Sequence, residues 1–120
     1  MTDETAAIAR DTTILVTRNG MGHADPALAH KLAGTYFDLL DVENRLPGRI
    51  CFYAEGVKLA CAGSPLLETL AALEERGVEV IVCTTCLEFY GLKPQLAVGK
   101  AGNMKQIQAA QWEAARVLSI

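Results

Sequence analysis

The sequence predicts one α/β domain of the doubly wound, three-layer kind with a mostly parallel sheet of about five strands. Three observations carry that prediction. Compact apolar or β-branched runs recur at residues 12–17, 49–54 and 78–82. Each successive pair is separated by a helix-length segment with its own start and stop signals. Crossovers of that length suit parallel strands, which a tight hairpin cannot join.

Taken in order, residues 1–11 show no apolar periodicity and read as a loose arm ahead of a domain covering residues 12–120. Thr12-Thr13-Ile14-Leu15-Val16-Thr17 is the first strand, and the loop after it carries Gly20, Gly22 and His23. Asp25 and Pro26 are the cap and first position of a helix reaching about residue 43, with Leu28, Leu32, Tyr36, Leu39 and Leu40 expected on its buried face. Leu46-Pro47-Gly48 turns the chain into the second strand, residues 49–54, and residues 55–63 form a second loop with room for a helical turn. Ser64 and Pro65 repeat the cap and first-turn pair, Leu66, Leu70 and Leu73 mark the buried face, and Gly77 ends that helix.

The third strand, residues 78–82, delivers Cys83. Thr85 with Glu88 makes a T-x-x-E capping box, so a short helix is expected from about Cys86 to Gly91. Residues 92–95 are a connection, residues 96–99 a brief strand, and Asn103 with Gln106 opens a last helix through Ile107, Ala110 and Trp112. Residues 117–120 close the chain as a strand.

A length of 120 residues suits one core, and 51% hydrophobic with 21% charged residues is ordinary for a globular domain. Eleven basic against fourteen acidic residues, with no Lys/Arg-rich run, argue against nucleic acid as a partner. The acidic start Met1-Thr2-Asp3-Glu4 lacks the basic flank of a secretory signal, and no apolar run has the length of a membrane span, so the expected location is the cytoplasm. In that setting the four cysteines are expected to be reduced, which ranks thiol chemistry or metal binding above disulfides.

The crevice of such a sheet lies outside the carboxyl ends of its strands, where residues 19–24, 55–61 and 83–87 should converge. Topology thereby gathers His23, Lys58, Cys61, Cys83 and Cys86. Cys83 and Cys86 sit at a strand-to-helix turn, where backbone N–H groups and the helix dipole favour a thiolate, and they are the candidate catalytic residues. Gly22, His23, Lys58, Thr84 and Thr85 are the candidate substrate contacts. The bland alternatives are two buried apolar thiols, a surface histidine and a solvated lysine. Cys51, inside a strand, should be a small buried hydrophobe, so Cys83 is expected to alkylate first and Cys51 last.

A thioredoxin-type motif would follow the first strand, whereas this C-x-x-C follows the third. A metal site of Cys83, Cys86, Cys61 and His23 has suitable ligand types, but only one pair is local and no metal is assigned. Gly20-Met21-Gly22 makes neither a dinucleotide nor a Walker fingerprint, and no cofactor is expected.

With Cys83-Thr84-Thr85-Cys86-Leu87-Glu88-Phe89-Tyr90-Gly91-Leu92 in view, the chain resembles the DsrE-like family of sulfur-handling proteins, and most closely the carboxyl-terminal domain of YedF-type proteins. The likeness extends through Gly56-Val57-Lys58-Leu59-Ala60, Gly63-Ser64-Pro65-Leu66-Leu67-Glu68, the run from Leu73 to Val80, Leu96-Ala97-Val98-Gly99 and the Asn103-Met104 pair, in the same order. It implies a compact α/β fold, symmetric homo-oligomers of three or six chains in the relatives, and a sulfurtransferase-like carrier in which Cys83 holds sulfane sulfur as a persulfide. Cys86 matches the second cysteine of the YedF-like subgroup, either releasing the sulfur by forming a disulfide or shuttling the persulfide. Small sulfane-sulfur donors, or donor and acceptor proteins, are the implied partners. In YedF-type proteins the domain follows a TusA/SirA-like domain, and here an eleven-residue arm stands in that place. The competing class is a non-catalytic module binding a small ligand or protein in the same crevice, its cysteines incidental or metal-bound.

Overall fold

A computed structural model describes residues 10–120. Its five strands are β1 (Thr12–Val16), β2 (Arg49–Phe52), β3 (Glu79–Cys83), β4 (Lys100–Gly102) and β5 (Arg116–Ser119), in the spatial order β4-β3-β2-β1-β5. Every pairing is parallel. The helices are α1 (Pro26–Val42), α2 (Leu67–Glu75), α3 (Thr84–Phe89) and α4 (Met104–Glu113), with 3-10 turns at Ala54–Ala60 and Lys93–Gln95. Three crossovers step from β1 to β4 in one direction, and α4 then carries the chain back across the sheet to β5 at the opposite edge. The expected doubly wound sandwich is therefore the observed fold.

Parallel register assigns the faces. Ile14 pairs with Ile50, which pairs with Val80, and Val16 pairs with Phe52, which pairs with Val82, so these apolar side chains share one face. Phe37 of α1 lies 6.3 Å from the Phe52 ring on that face, and Thr69 and Arg76 bond Asp38 and Asp41 to tie α2 beside α1. The other face carries Thr13, Arg49 and Glu79. Thr13 donates its hydroxyl proton to the Ala110 carbonyl at 2.8 Å, and Arg49 pairs with Glu113, which places α4 there. The core is one cluster running from Ile14 through Leu70 and Leu73 to Ile107.

Local signals hold at several ends. Asp25 accepts the Ala27 N–H with Pro26 at the first turn, and Asn103 and Gln106 form a reciprocal capping box. Gly77, at φ +96°, ends α2 as expected.

Other expectations are corrected. The loose arm of residues 1–11 falls mainly outside the described residues, but Arg10 donates to the Arg76 carbonyl and Asp11 accepts two N–H groups, so those two positions are tied down. The buried stripe of α1 is Ala29, Ala33 and Phe37, while Leu28, Leu32 and Leu39 are exposed. Small residues let the helix approach the sheet closely, and the leucines turn outward. Ser64 caps only a turn, accepting the Leu66 N–H at 3.1 Å, and α2 begins later. β2 stops at Phe52 and β3 includes Cys83. The fourth strand is Lys100–Gly102, because the N–H groups of Ala97 and Val98 go to the Ala60 carbonyl and that of Gly99 to Glu74 instead of to a ladder. Trp112 projects from α4 with 83% of its surface exposed.

Candidate active site

The carboxyl ends of β1, β2 and β3 carry the three segments that the topology predicts will meet. The first loop is anchored to α1 by Met21 N–H on the Ala29 carbonyl at 3.0 Å and by the His30 Nε2 to Asn19 Oδ1 bond at 3.2 Å. Gly20 packs so tightly against Ala29 that a Cβ there would lie 2.5 Å from the Ala29 methyl. The second segment, the 3-10 turn after β2, lies against β1: Tyr53 N–H bonds the Val16 carbonyl at 3.1 Å, and Gly56 approaches the same carbonyl.

Cys83 is the last residue of β3 and the cap of α3, and Cys86 is the third residue of that helix. The expected capping box of Thr85 and Glu88 does not form, since β3 passes directly into α3 at Thr84 and leaves no Thr85 cap position. The thiols are nevertheless neighbours. Cys86 follows the cap Cys83 by three positions, one turn along the same side of α3, and its Sγ accepts the Ala54 N–H at 3.2 Å. Burial pushes the Cys86 thiol up from its ordinary pKa, the neighbouring Cys83 thiol adds to that, and the Ala54 N–H opposes both.

Exposure reverses the expected order of access. Cys83 is buried, with 2% of its surface exposed, and Cys86 is half-buried at the surface. The backbone donor that meets a thiol comes from the neighbouring turn and serves Cys86, where the sequence points to helix N–H groups serving Cys83. Cys51 is fully buried in β2 and its pKa is pushed up to about 11 by burial, as its place in a strand suggests. Cys61 is also buried, donating to the Val57 carbonyl at 3.2 Å, and burial raises its pKa as well.

The candidate substrate contacts divide. Thr84 and Thr85 lie in the first turn of α3, half-buried and exposed respectively. Lys58 joins the site's rim by a different route: its Nζ lies 3.6 Å from Glu55 and 4.7 Å from the centre of the Tyr90 ring, just past α3. Gly22 and His23 are exposed on the first loop, and no hydrogen bond or ion pair joins His23 to the cysteines among the described residues. Those residues also contain no group of three His, Cys, Asp or Glu side chains arranged to hold a metal.

Residues 11–120 match the DsrE/DsrF-like family. The chain belongs to that family. The family is associated with sulfur relay in general, which gives the paired thiols a chemical context. Two solved structures share the fold. The YchN protein from E. coli superposes with a TM-score of 0.64 at 18% identity, covering 91% of this chain and 98% of its own. MTH1491 from Methanobacterium thermoautotrophicum, described as a protein of unknown function, gives 0.62 at 17% identity, with 91% and 97% covered. No protein with a curated description matches the chain.

In this DsrE-like site the residue that sequence reasoning misses is Ala54. Its φ of +51° lies in the left-handed region that residues other than Gly, Asn and Asp rarely occupy. That conformation ends β2 and coincides with an N–H aimed at Cys86. The available signal was Gly56, which marks a close backbone approach just after the strand. Asn19 and His30 were likewise unremarkable in sequence, because the bond that joins them exists only once the loop folds onto α1.

Proposed function

We propose that this protein is a sulfurtransferase-like sulfur carrier that holds sulfane sulfur as a persulfide on Cys83, with Cys86 as its partner thiol. The observation that carries this reading is the pair of free cysteines, one helical turn apart at a strand-to-helix turn, in a chain of a sulfur-relay family. A carrier needs a thiolate to attack a sulfane donor and must then present the outer sulfur to an acceptor. Two neighbouring thiols allow both steps within one site. The partners are small sulfane-sulfur donors or donor and acceptor proteins. The carrier is also proposed to be a homo-oligomer, supported by Phe89 at 82% exposure beside the cysteines and by the exposed leucines along α1.

A binding-module reading draws on one observation. A groove of about 610 Å³, lined by Tyr36, Leu39, Leu40, Pro47, Arg116 and Leu118, lies at the amino ends of β1 and β5, the opposite end of the strands from Cys83. Mass spectrometry after incubation with thiosulfate or glutathione persulfide decides between the two. A carrier gains the mass of one sulfur atom, lost on reduction and absent from the doubly substituted Cys83→Ser, Cys86→Ser protein. No adduct on any thiol in the absence of reductant overturns the carrier.

A further inference from the structure

Both cysteines of the pair are generally suited to nucleophilic chemistry, but the fold treats them differently. Cys83 ends a central strand, with β2 on one side and β4 on the other, and is enclosed at 2% exposure. Cys51 and Cys61 are buried as well, which makes Cys86 the one described thiol with surface access. The Cys86 sulfur, one helical turn from Cys83, is held by the N–H of Ala54 at 3.2 Å. That contact depends on a non-glycine residue in the left-handed region, a strained conformation that persists only where the surroundings impose it. Here they do so on both sides of Ala54: Tyr53 N–H is bonded to Val16 and Gly56 N–H to Tyr53.

We infer that Cys86 is the exchange thiol, meeting sulfur donors and acceptors at the surface, and that Cys83 gains and loses its sulfur only through Cys86. This rests on the carrier reading and adds to it the direction of traffic. The steps balance without any outside oxidant. The Cys86 thiolate attacks the sulfane sulfur of a persulfide donor R–S–SH; the donor S–S bond breaks, R–S⁻ leaves, and Cys86 carries S–SH. Cys83 then attacks the outer sulfur. The bond from that sulfur to Cys86 breaks as the bond to Cys83 forms, and the Cys83 proton passes to the departing Cys86 sulfur. One S–S bond is lost and one gained in each step, so the sulfane sulfur keeps its oxidation level. The Ala54 N–H stabilises Cys86 whenever it bears negative charge, as attacker or as leaving group. Delivery to an acceptor thiol is the same sequence reversed.

The test uses the full chain and glutathione persulfide, with samples quenched by alkylation over seconds to minutes and the extra sulfur located by fragmentation mass spectrometry. In the unmodified protein it should appear first on Cys86 and later on Cys83. In Cys86→Ser, loading of Cys83 should be at least ten times slower. Loading of Cys83 first, or at an unchanged rate in Cys86→Ser, overturns the inference and leaves the carrier reading standing. Accumulation of a Cys83–Cys86 disulfide with release of hydrosulfide also overturns it, since Cys86 would then unload the persulfide rather than relay it. Sulfur on neither thiol overturns the carrier reading itself. The time course of the unmodified chain decides the order without reliance on any variant's folding.

Discussion

Replacing Gly56 by Ala tests the link between the fold and the cysteine site. An added Cβ would stand 2.0 Å from the Val16 carbonyl oxygen and 2.7 Å from its carbon. Ordinary contact begins near 3.4 Å, so the turn at Ala54–Ala60 must retreat by about 1.4 Å. Val16 cannot yield instead, because it is fully buried and paired with Phe52 in the sheet. Overpacking of this kind costs about 1–3 kcal/mol. The retreat also strains Tyr53 N–H to Val16, at 3.1 Å, worth about 1 kcal/mol. The total, about 2–4 kcal/mol, is less than the roughly 5–15 kcal/mol that holds a domain folded, so the variant should fold but melt roughly 10 °C lower. Thermal unfolding followed by circular dichroism measures this, with amide exchange at Tyr53 expected to accelerate. A melting temperature within about 2 °C of the unmodified protein would refute the claim that this glycine is required by backbone contact.

Gly34 provides the opposite case: it lies inside α1 with nothing within 4 Å of where a Cβ would stand, so Gly34→Ala should raise stability by about 0.5–1 kcal/mol, measured in the same melts. Alkylation of the folded protein at neutral pH should label Cys86 first and Cys51 last, as peptide mapping would record. Cys51 also sets an alkaline limit. Its folded pKa of about 11 exceeds the ordinary 9.0, so above pH 9 the unfolded chain loses this proton while the folded chain keeps it. Stability from this thiol is complete below pH 9 and falls by up to about 3 kcal/mol as pH rises to 11; Cys51→Ala, read by urea titration at pH 8 and 10.5, should flatten that part of the fall. Light scattering at micromolar concentration should give a mass above the 12.9 kDa of one chain, and a mass of one chain would remove the proposed assembly.

What the sequence determined by itself was the order and type of most elements and the place where thiols gather. These depend on short-range physics. Asp25 with Pro26, and Asn103 with Gln106, satisfy orphan N–H groups within a few residues, so their caps are legible in one dimension and are realised in the fold. Apolar runs joined by long crossovers likewise required a parallel sheet, and the C-x-x-C begins where the apolar run of the third strand stops.

Tertiary structure decided the rest. Periodicity showed an apolar stripe on α1 but not which stripe the sheet accepts, and close approach selected Ala29, Ala33 and Phe37 over the leucines. The T-x-x-E box lost to direct passage of β3 into α3, and residues 96–99 lost their strand to bonds with the Ala60 carbonyl. Most consequential for the site, spacing along the chain treats Cys83 and Cys86 as near equals. Enclosure between β2 and β4 buries the first, while α3 brings the second to the surface under the N–H of Ala54, thirty-two residues away in sequence. A contact across that separation exists only when the strands are in register, and no local pattern announces it.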